Sequence, residues 1–265
     1  DEFAVLLDGW TADDAARFAV NLVAEVGRPM VVNDVEVITR VSAGVACAPA
    51  AGESGELLLQ AADLALNHAR VRGKGNVAVY RKSLREGAVR KLREANAVTT
   101  AARAGAFHFD YQPVVAIPAG SPLAMEALMR WDAGADLGRP DAFIPVAESI
   151  GELTSMLRSL LPTALEGLAR WRRLVPQLSL TVNMHADALL DADLEAWLVG
   201  CLEDARVPAS SLILEISERA LVPEQARRQL ESLRSRGVDI WIDDFGTGWS
   251  NLSTLERLPV TGVKL

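Results

Sequence analysis

The chain has 265 residues, of which 50% are hydrophobic and 23% charged, so it can bury one large core or two ordinary ones. Its formal net charge of -8 argues against a nucleic-acid-binding surface, because phosphates would be repelled over most of the protein. No apolar run is long enough to cross a bilayer and no signal peptide is recognisable, so we expect no membrane contact in this segment.

Cys47 and Cys201 lie far apart in apolar surroundings, which favours free thiols over a disulfide and indicates a reducing compartment, the cytoplasm. Both ends of the sequence fall inside predicted strands, over residues 3–7 and 261–265. We therefore expect a piece of a longer protein, truncated at both ends. If the truncation leaves a sheet without its last strands, the edge of that sheet stays unpaired. We therefore expect the isolated piece to be inactive or poorly folded.

Residues 1–82 have the pattern of an α/β unit. Periodicity predicts helices over residues 12–26 and 56–72, and strands over residues 3–7, 35–39, 41–46 and 77–80. Interleaved helices and strands are typical of an α/β or α+β domain. Residues 83–104 then carry charges interleaved with Leu84, Val89 and Leu92, which predicts a connecting helix.

From residue 105 onward, strands and helices alternate. The predicted strands cover residues 109–117, 123–131, 178–183, 211–216, 238–243 and 261–265, and the predicted helices cover residues 140–148, 153–174, 188–205, 223–236 and 251–257. Successive units of this length predict a parallel sheet, and a TIM-like (β/α) barrel is one candidate. A doubly wound open sheet has the same rhythm, so both architectures remain open.

Polar side chains share one face of four consecutive predicted strands, because alternate residues of a strand point to opposite faces. Aliphatic residues occupy the other face. The polar positions nearest the carboxyl ends are Glu126, Asn183, Glu215 and Asp243. If the sheet is a barrel, these four side chains meet at the end where barrel enzymes keep their active sites.

Three carboxylates and an amide oxygen repel one another unless a cation lies between them. Oxygen ligands without Cys or His favour Mg²⁺ or Mn²⁺ over zinc. Asp244 could help to hold a second ion, and Lys264 could order or deprotonate a metal-bound water or neutralise a phosphoryl transition state. Taken singly, each residue has an ordinary alternative role as a salt-bridge partner, a helix cap or a surface charge. A polar residue at the same position of four consecutive strands, however, favours a shared metal site.

Four segments of the first unit resemble the C-terminal half of a GGDEF diguanylate cyclase domain: DEF at residues 1–3, SAGVA at 42–46, ADLA at 62–65 and ARVRGKGN at 69–76. The resemblance implies that Glu2 serves the metal and nucleotide and that Arg70 and Lys74 contact phosphate. A solvated helix end is the alternative for both basic residues. Asn67 stands where the family has tyrosine, and the glycines that precede DEF in the family are absent, so we do not expect cyclase activity from this piece.

Six motifs of the second unit are similar, in order, to those of the EAL-domain cyclic di-GMP phosphodiesterases. They are YQP at residues 111–113, EALMRW at 126–131, FIPVAE at 143–148, VN at 182–183, LEISE at 214–218 and DDFGTG at 243–248. The resemblance implies a GGDEF-type part over residues 1–82, a linker helix over 83–104 and an incomplete TIM-like barrel over 105–265. It also implies hydrolysis of cyclic di-GMP to linear pGpG with Mg²⁺ or Mn²⁺.

The family motifs assign roles position by position. The resemblance makes Glu126, Asn183, Glu215 and Asp243 metal ligands, Asp244 a ligand of the second ion, and Lys264 the residue near the attacking water; Glu126, Asp243, Asp244 and Lys264 are thus the expected catalytic residues. It makes Gln112, Leu128 and Arg130 substrate contacts. Glu218 would stabilise the loop over residues 243–248, which in this family links the metal site to the dimer interface, so we expect a homodimer through the EAL domain.

The sequence departs from the family at several positions. Ser217 replaces a threonine, Trp249 and Asn251 replace tyrosine and serine, and Met184-His185 replaces Leu-Ser, but none of these removes a predicted ligand. The three scattered histidines make no zinc motif. Two rival functions stay open: a non-catalytic receptor for cyclic di-GMP or GTP, and an unrelated Mg²⁺-dependent barrel lyase or hydrolase.

Overall fold

The computed structural model of the chain describes residues 2–134, 137–218, 224–246 and 258–265. It divides into two compact units, Asp1–Arg93 and Glu94–Leu265. One long helix, Lys82–Arg103, contains the boundary between the two units and confirms the helix predicted over residues 83–104.

The first unit is a small α/β arrangement. Its elements are α1 (Ala12–Val26), β1 (Met30–Val32), β2 (Val35–Val37), β3 (Ala43–Val45), α2 (Gly55–Val71), β4 (Val77–Val79) and the start of α3 (Lys82–Arg103). β1 and β2 pair antiparallel, whereas β3 and β4 pair in parallel. The two predicted helices are confirmed, and each begins at a hydroxyl cap: Thr11 accepts from the Asp14 amide and Ser54 from the Leu57 amide.

β3 approaches α2 at Gly44. A Cβ atom at residue 44 would overlap the backbone of α2 at Ala62 and Leu66. A hydrogen atom in place of a side chain is therefore what lets this strand and helix pack. On the same helix Ala65 is fully buried.

One prediction for this unit is wrong, and one strand was not predicted. Residues 3–7 form no strand, because none of the described strands pairs with them and their apolar side chains are exposed, Phe3 to 96% and Leu6 to 90%. The sequence analysis also missed β1. Asn33 and Asp34 adopt positive φ angles of 50° and 64°, the combination that a two-residue hairpin turn needs, so the turn was the available signal.

The second unit is a six-stranded sheet with helices packed on it. After α3 its elements are β5 (Phe107–Val115), β6 (Pro122–Trp131), α4 (Pro140–Ser149), α5 (Leu153–Trp171), β7 (Ser179–Met184), α6 (Leu194–Ala205), β8 (Leu212–Ser217), α7 (Glu224–Ser235), β9 (Asp239–Asp243) and β10 (Gly262–Val263). These bounds confirm the predicted strands and three of the five predicted helices, over residues 140–148, 153–174 and 223–236, to within a few residues. The helix predicted over residues 251–257 lies outside the described residues.

The helix predicted over residues 188–205 is split. A 3₁₀ turn covers Ala188–Leu190, and α6 begins only at Leu194. Asp191 is extended, and its carboxylate accepts a hydrogen bond from the Asp193 amide at 3.0 Å, which satisfies a backbone donor just before the helix starts. A short acidic side chain that caps a turn therefore interrupts the helix.

The strand order is β10-β9-β8-β7-β6-β5, which is simply the chain order. From β6 to β10 every neighbouring pair is parallel, and β5 pairs antiparallel with β6. A doubly wound sheet would reverse its strand order near the middle, and none of the described strands does so. The sheet is therefore a partial TIM-like barrel, which decides between the two architectures left open by the sequence.

The hydrophobic core lies between this sheet and its helices. Leu180 on β7, Leu214 on β8 and Ile240 on β9 are fully buried in one cluster with Leu161 and Leu165 of α5. These strand residues alternate with Thr181, Glu215 and Asp239, which face the other way. The core thus uses one face of the sheet and leaves the polar face for the interior of the barrel.

Candidate active site

At the carboxyl end of the sheet, three predicted carboxylates lie around the ammonium group of a fourth predicted site residue, Lys264. Lys264, directly after β10, donates to Glu126 Oε1 at 2.8 Å and to Glu215 Oε2 at 2.7 Å. Asp243 Oδ1 lies 3.6 Å from the same Nζ atom. Residues on β6, β8 and β9 therefore meet at the residue that follows β10.

The strand register explains this convergence. Glu126 lies opposite Thr181 on β7, and Asn183, two residues further on, lies opposite Glu215 on β8. Asp243 is the last residue of β9 and lies opposite Ser217, again two residues further along. Because neighbouring strands of a barrel are staggered, residues at different depths of their own strands reach one level.

Burial differs among the carboxylates. The side chain of Glu215 is fully buried, that of Glu126 is 15% exposed and that of Asp243 is 26% exposed. Burial raises the pKa of Glu215, although the hydrogen bond and charge of Lys264 and the nearby hydroxyl of Thr181 oppose the increase. Burial also disfavours the Lys264 ammonium, but the hydrogen bonds to Glu126 and Glu215 outweigh it and the pKa of Lys264 is raised.

Asn183 and Asp244 are placed less closely than the other predicted ligands. Asn183 lies beside Glu215 in the register, and its side chain is partly exposed. Asp244 is exposed and has a positive φ of 54°; its amide donates to Asp243 Oδ1 at 3.0 Å. The strained backbone at residue 244 turns the chain away from β9 at the rim of the site.

The loop after β9 is tied to neighbouring strands. The Gly246 amide donates to Glu218 Oε2 at 2.7 Å, and the Phe245 amide donates to the Lys264 carbonyl at 3.0 Å. Gly246 has a φ of 96°, which only glycine adopts without strain. Glu218 thus contacts the loop that the family resemblance assigns to it, although residues 247 and 248 lie outside the described part of the chain.

The predicted substrate contacts line β5 and β6. Gln112 lies opposite Glu126, and Arg130 lies further along β6, opposite His108. The Arg130 guanidinium donates from Nε to Asp110 Oδ2 at 3.0 Å. Leu128, opposite Asp110 in the register, completes this side of the mouth.

Asp110 and Thr181 contact or neighbour predicted site residues, although the sequence analysis did not name them as candidates. Asp110 has the same strand parity as Gln112, and Thr181 has the same parity as Asn183, so alternation carried the signal. What the sequence could not give was the pairing of Asp110 with Arg130 or the full burial of Thr181. Both follow from the register between strands.

The donor set suits a hard divalent cation. Among the described residues no three carboxylate, imidazole or thiol side chains are already arranged around an ion position. The three carboxylates that converge on Lys264 nevertheless offer oxygen ligands, and Glu215 Oε1 is buried without a hydrogen-bond partner in the described part of the chain. An orphaned buried carboxylate oxygen is a group that a cation would satisfy.

The predicted nucleotide residues of the first unit pair with each other. Arg70 donates to Glu2 Oε1 at 2.7 Å, and this hydrogen bond, together with the Arg70 charge, lowers the pKa of Glu2. Asn67 donates to Asp63 at 3.2 Å one helical turn earlier, and Lys74 is exposed in the turn after α2. These contacts are surface interactions of a helix end.

The sheet order, the parallel strands and the acidic strand ends define a (β/α)-barrel protein with a polar site at the mouth of the barrel. Comparison with known families gives the particular family. Residues 95–265 match the family model of the EAL domain, and residues 1–76 match that of the diguanylate cyclase GGDEF domain. The chain belongs to the EAL domain family and carries GGDEF sequence ahead of the EAL domain.

Curated relatives match over the whole chain. Cyclic di-GMP phosphodiesterase NbdA of Pseudomonas aeruginosa is 33% identical over 270 residues, which is 100% of this chain and 34% of the relative. Bifunctional diguanylate cyclase/cyclic di-GMP phosphodiesterase MucR of the same organism is 31% identical over 275 residues, which is 100% of this chain and 39% of the relative. The chain thus spans between a third and two fifths of the length of these relatives.

A solved structure described as PaMucR phosphodiesterase in complex with c-di-GMP superposes with a TM-score of 0.59. It is 30% identical and covers 64% of this chain and 71% of that chain. Within the described residues of the present chain, no helix combines the length and the apolar character that crossing a bilayer requires.

Proposed function

We propose that the protein containing this chain hydrolyses cyclic di-GMP to linear pGpG at the mouth of its EAL barrel. The observation that carries the proposal is the convergence of Glu126, Glu215 and Asp243 on Lys264. Membership of the EAL family and the names of relatives such as NbdA support the substrate.

Each side of the site has a distinct task in this proposal. On the β5–β6 side, Arg130, Gln112 and Leu128 contact the nucleotide, and the planar guanidinium of Arg130 suits a phosphate. Lys264, directly after β10, places a positive charge where negative charge develops on the phosphoryl oxygens. The partly buried setting strengthens that interaction relative to water.

We propose Mg²⁺ or Mn²⁺ as the cofactor, held by Glu126, Asn183, Glu215 and Asp243, with Asp244 serving a second ion. The oxygen donors and the orphaned Glu215 Oε1 support a hard cation. When bound, such an ion supplies an activated water and neutralises phosphate charge. Glu218 supports the site from outside by holding the Gly246 amide.

The test is cleavage of cyclic di-GMP by the whole purified protein that contains this chain, with Mg²⁺ or Mn²⁺ and with pGpG measured by ion-exchange chromatography. We expect pGpG from the wild type and almost none from Glu126→Gln. Glu166→Gln is the matched control, because Glu166 is exposed on α5 away from the polar face of the sheet. Absence of pGpG with either metal from a folded wild type would overturn the proposal, and tight binding without turnover would favour the receptor function.

The remaining parts of the proposal concern the domain boundaries, the cellular location and the oligomeric state. We propose residues 1–82, 83–104 and 105–265 as the GGDEF part, the linker helix and the EAL part. We propose a cytoplasmic location, which the free thiols of Cys47 and Cys201 support. We also propose a homodimer through the EAL domain, which light scattering of the whole protein tests directly.

A further inference from the structure

Three polar side chains are buried among the described residues, and two of them each keep one oxygen atom without a hydrogen-bond partner in that part of the chain. Ser211 donates to the Pro208 carbonyl at 2.6 Å. Thr181, at 0% exposure, and Glu215, at 1%, each keep one oxygen without a hydrogen bond in the described part of the chain: Thr181 Oγ1 and Glu215 Oε1. Buried polar atoms are almost always paired, so two orphans in one region need a physical explanation.

Strand register places the two orphans in the same part of the barrel interior. Thr181 on β7 lies opposite Ile213 on β8, so Glu215 is its diagonal neighbour two residues along. Both side chains are on the interior face, since Leu180, Val182 and Leu214 occupy the core on the other face. Thr181 is also close enough to Glu215 for its hydroxyl to favour the ionised carboxylate.

A carboxylate held by one oxygen is not fully oriented. Lys264 donates to Glu215 Oε2 at 2.7 Å. The carboxylate can still rotate about that hydrogen bond unless a second partner holds Oε1. A hydroxyl is the neutral donor that can do this without adding a competing positive charge to the site. Thr181 is the buried hydroxyl available at this position. Its Oγ1 atom and Glu215 Oε1 are not hydrogen-bonded to each other in this structure, and a carboxylate oxygen has lone pairs for both a hydroxyl donor and a cation.

We propose that Thr181 is a positioning residue, whose hydroxyl donates to Glu215 Oε1 and holds the carboxylate in the orientation that binds the divalent cation. This inference rests on the proposed function for the cation, but it concerns a residue that neither the EAL motifs nor the metal-ligand set contains. Thr181 acts through Glu215 and touches neither substrate nor cation. Groups in this supporting role commonly contribute strongly to metal affinity.

Two substitutions separate positioning from packing. Thr181→Ser keeps the hydroxyl and loses a methyl group, whereas Thr181→Val keeps the shape and loses the hydroxyl. If the hydroxyl positions Glu215, valine impairs the site and serine does not. If Thr181 only fills space, valine is harmless and serine is the more disruptive change, because it leaves a small cavity.

The experiment titrates the whole protein with Mn²⁺ alone by calorimetry, and follows thermal unfolding and the kinetics of cyclic di-GMP cleavage for each variant. We expect Thr181→Val to weaken Mn²⁺ binding about 10- to 100-fold, with kcat lowered at saturating Mn²⁺, and Thr181→Ser to stay within about threefold of the wild type. Unfolding temperatures show whether both variants remain folded.

Equal Mn²⁺ affinity for wild type and Thr181→Val would overturn the inference, as would a larger loss for serine than for valine. A wild type that binds no Mn²⁺ would overturn it as well. A failure of the proposed reaction would look different. In that case wild type and Thr181→Ser bind Mn²⁺ tightly and Thr181→Val binds it weakly, but none of the three proteins forms pGpG. The positioning role of Thr181 would then stand, and the phosphodiesterase function would be rejected.

Discussion

Lys264 donates a 2.7 Å hydrogen bond to Glu215 across an intervening strand. Glu215 belongs to β8 and Lys264 follows β10, so the pair passes over the interior face of β9. The Glu215 side chain is fully buried and that of Lys264 is 26% exposed. A buried carboxylate thus depends on one cation from a strand two positions away.

We expect Lys264→Met to destabilise the protein by about 3 kcal/mol, because it leaves the buried Glu215 charge without compensation. The double variant Lys264→Met/Glu215→Leu recovers most of this loss, since it removes both charges. Urea denaturation gives both free energies, with Lys91→Met on the exposed side of α3 as the control. A loss below about 0.5 kcal/mol would mean that the pair does not stabilise the site.

Gly262 on β10 is required by the indole of Trp241 on β9. A Cβ atom at residue 262 would lie 2.6 Å from Trp241 Nε1. We expect Gly262→Ala to cost about 1–3 kcal/mol through overpacking. Adding Trp241→Ala should relieve the overlap, so the double-mutant cycle shows a coupling energy that favours the double variant.

The control for that substitution is Gly200→Ala in α6, where an added Cβ meets nothing within 4 Å. Alanine is the better helix former, so this change should stabilise the protein by about 0.5–1 kcal/mol. Equal destabilisation by both substitutions would show that the contact with Trp241 is not the cause.

Arg130 is held by an exposed pair with Asp110, in which the side chains are 32% and 59% exposed. Such a pair contributes little to folding. We expect Arg130→Ala to weaken cyclic di-GMP binding about 10- to 100-fold, because a hydrogen bond to a charged group is worth about 1.5–3 kcal/mol. Arg130→Lys should not restore affinity, since lysine lacks the planar fork.

Fluorescence titration with cyclic di-GMP measures these affinities, and Arg173→Ala, an exposed position at the end of α5, is the matched control. The unfolding free energy should be nearly unchanged in all three variants. Unaltered affinity in Arg130→Ala would remove this residue from the substrate site.

Glu218 holds the loop after β9 through the Gly246 amide, at 2.7 Å. Glu218→Ala removes the acceptor and should cost about 1 kcal/mol of stability with a clear fall in kcat, because the loop carries Asp243 and Asp244 at its start. Glu218→Gln keeps an oxygen acceptor and should be the milder change. Amide hydrogen exchange at Gly246 provides the direct measurement, and protection that is unchanged in Glu218→Ala would contradict this role.

The sequence alone was sufficient for features that depend on local pattern. Helices α1 and α2 were predicted to within a residue or two, because apolar spacing is a local pattern. The parity that placed Glu126, Glu215 and Asp243 on one face of the sheet is equally local, since it follows from the two-residue repeat of a strand.

The two wrong predictions have different causes, one a missing partner strand and the other a local hydrogen bond. Residues 3–7 have the alternation of a strand, but no described strand supplies the second half of a ladder. The helix predicted over residues 188–205 was divided by the Asp191 side chain, whose hydrogen bond to the Asp193 amide competes with helix formation.

Only the tertiary structure decided which side chains on the polar face contact one another. The sequence determined which residues point inward and which family the motifs resemble, because both follow from the order of side chains along one chain. The ring of contacts around Lys264, the pairing of Arg130 with Asp110 and the burial of Thr181 beside Glu215 depend on the stagger between neighbouring strands. That stagger is set by how the whole sheet packs against its helices, so no short segment encodes it.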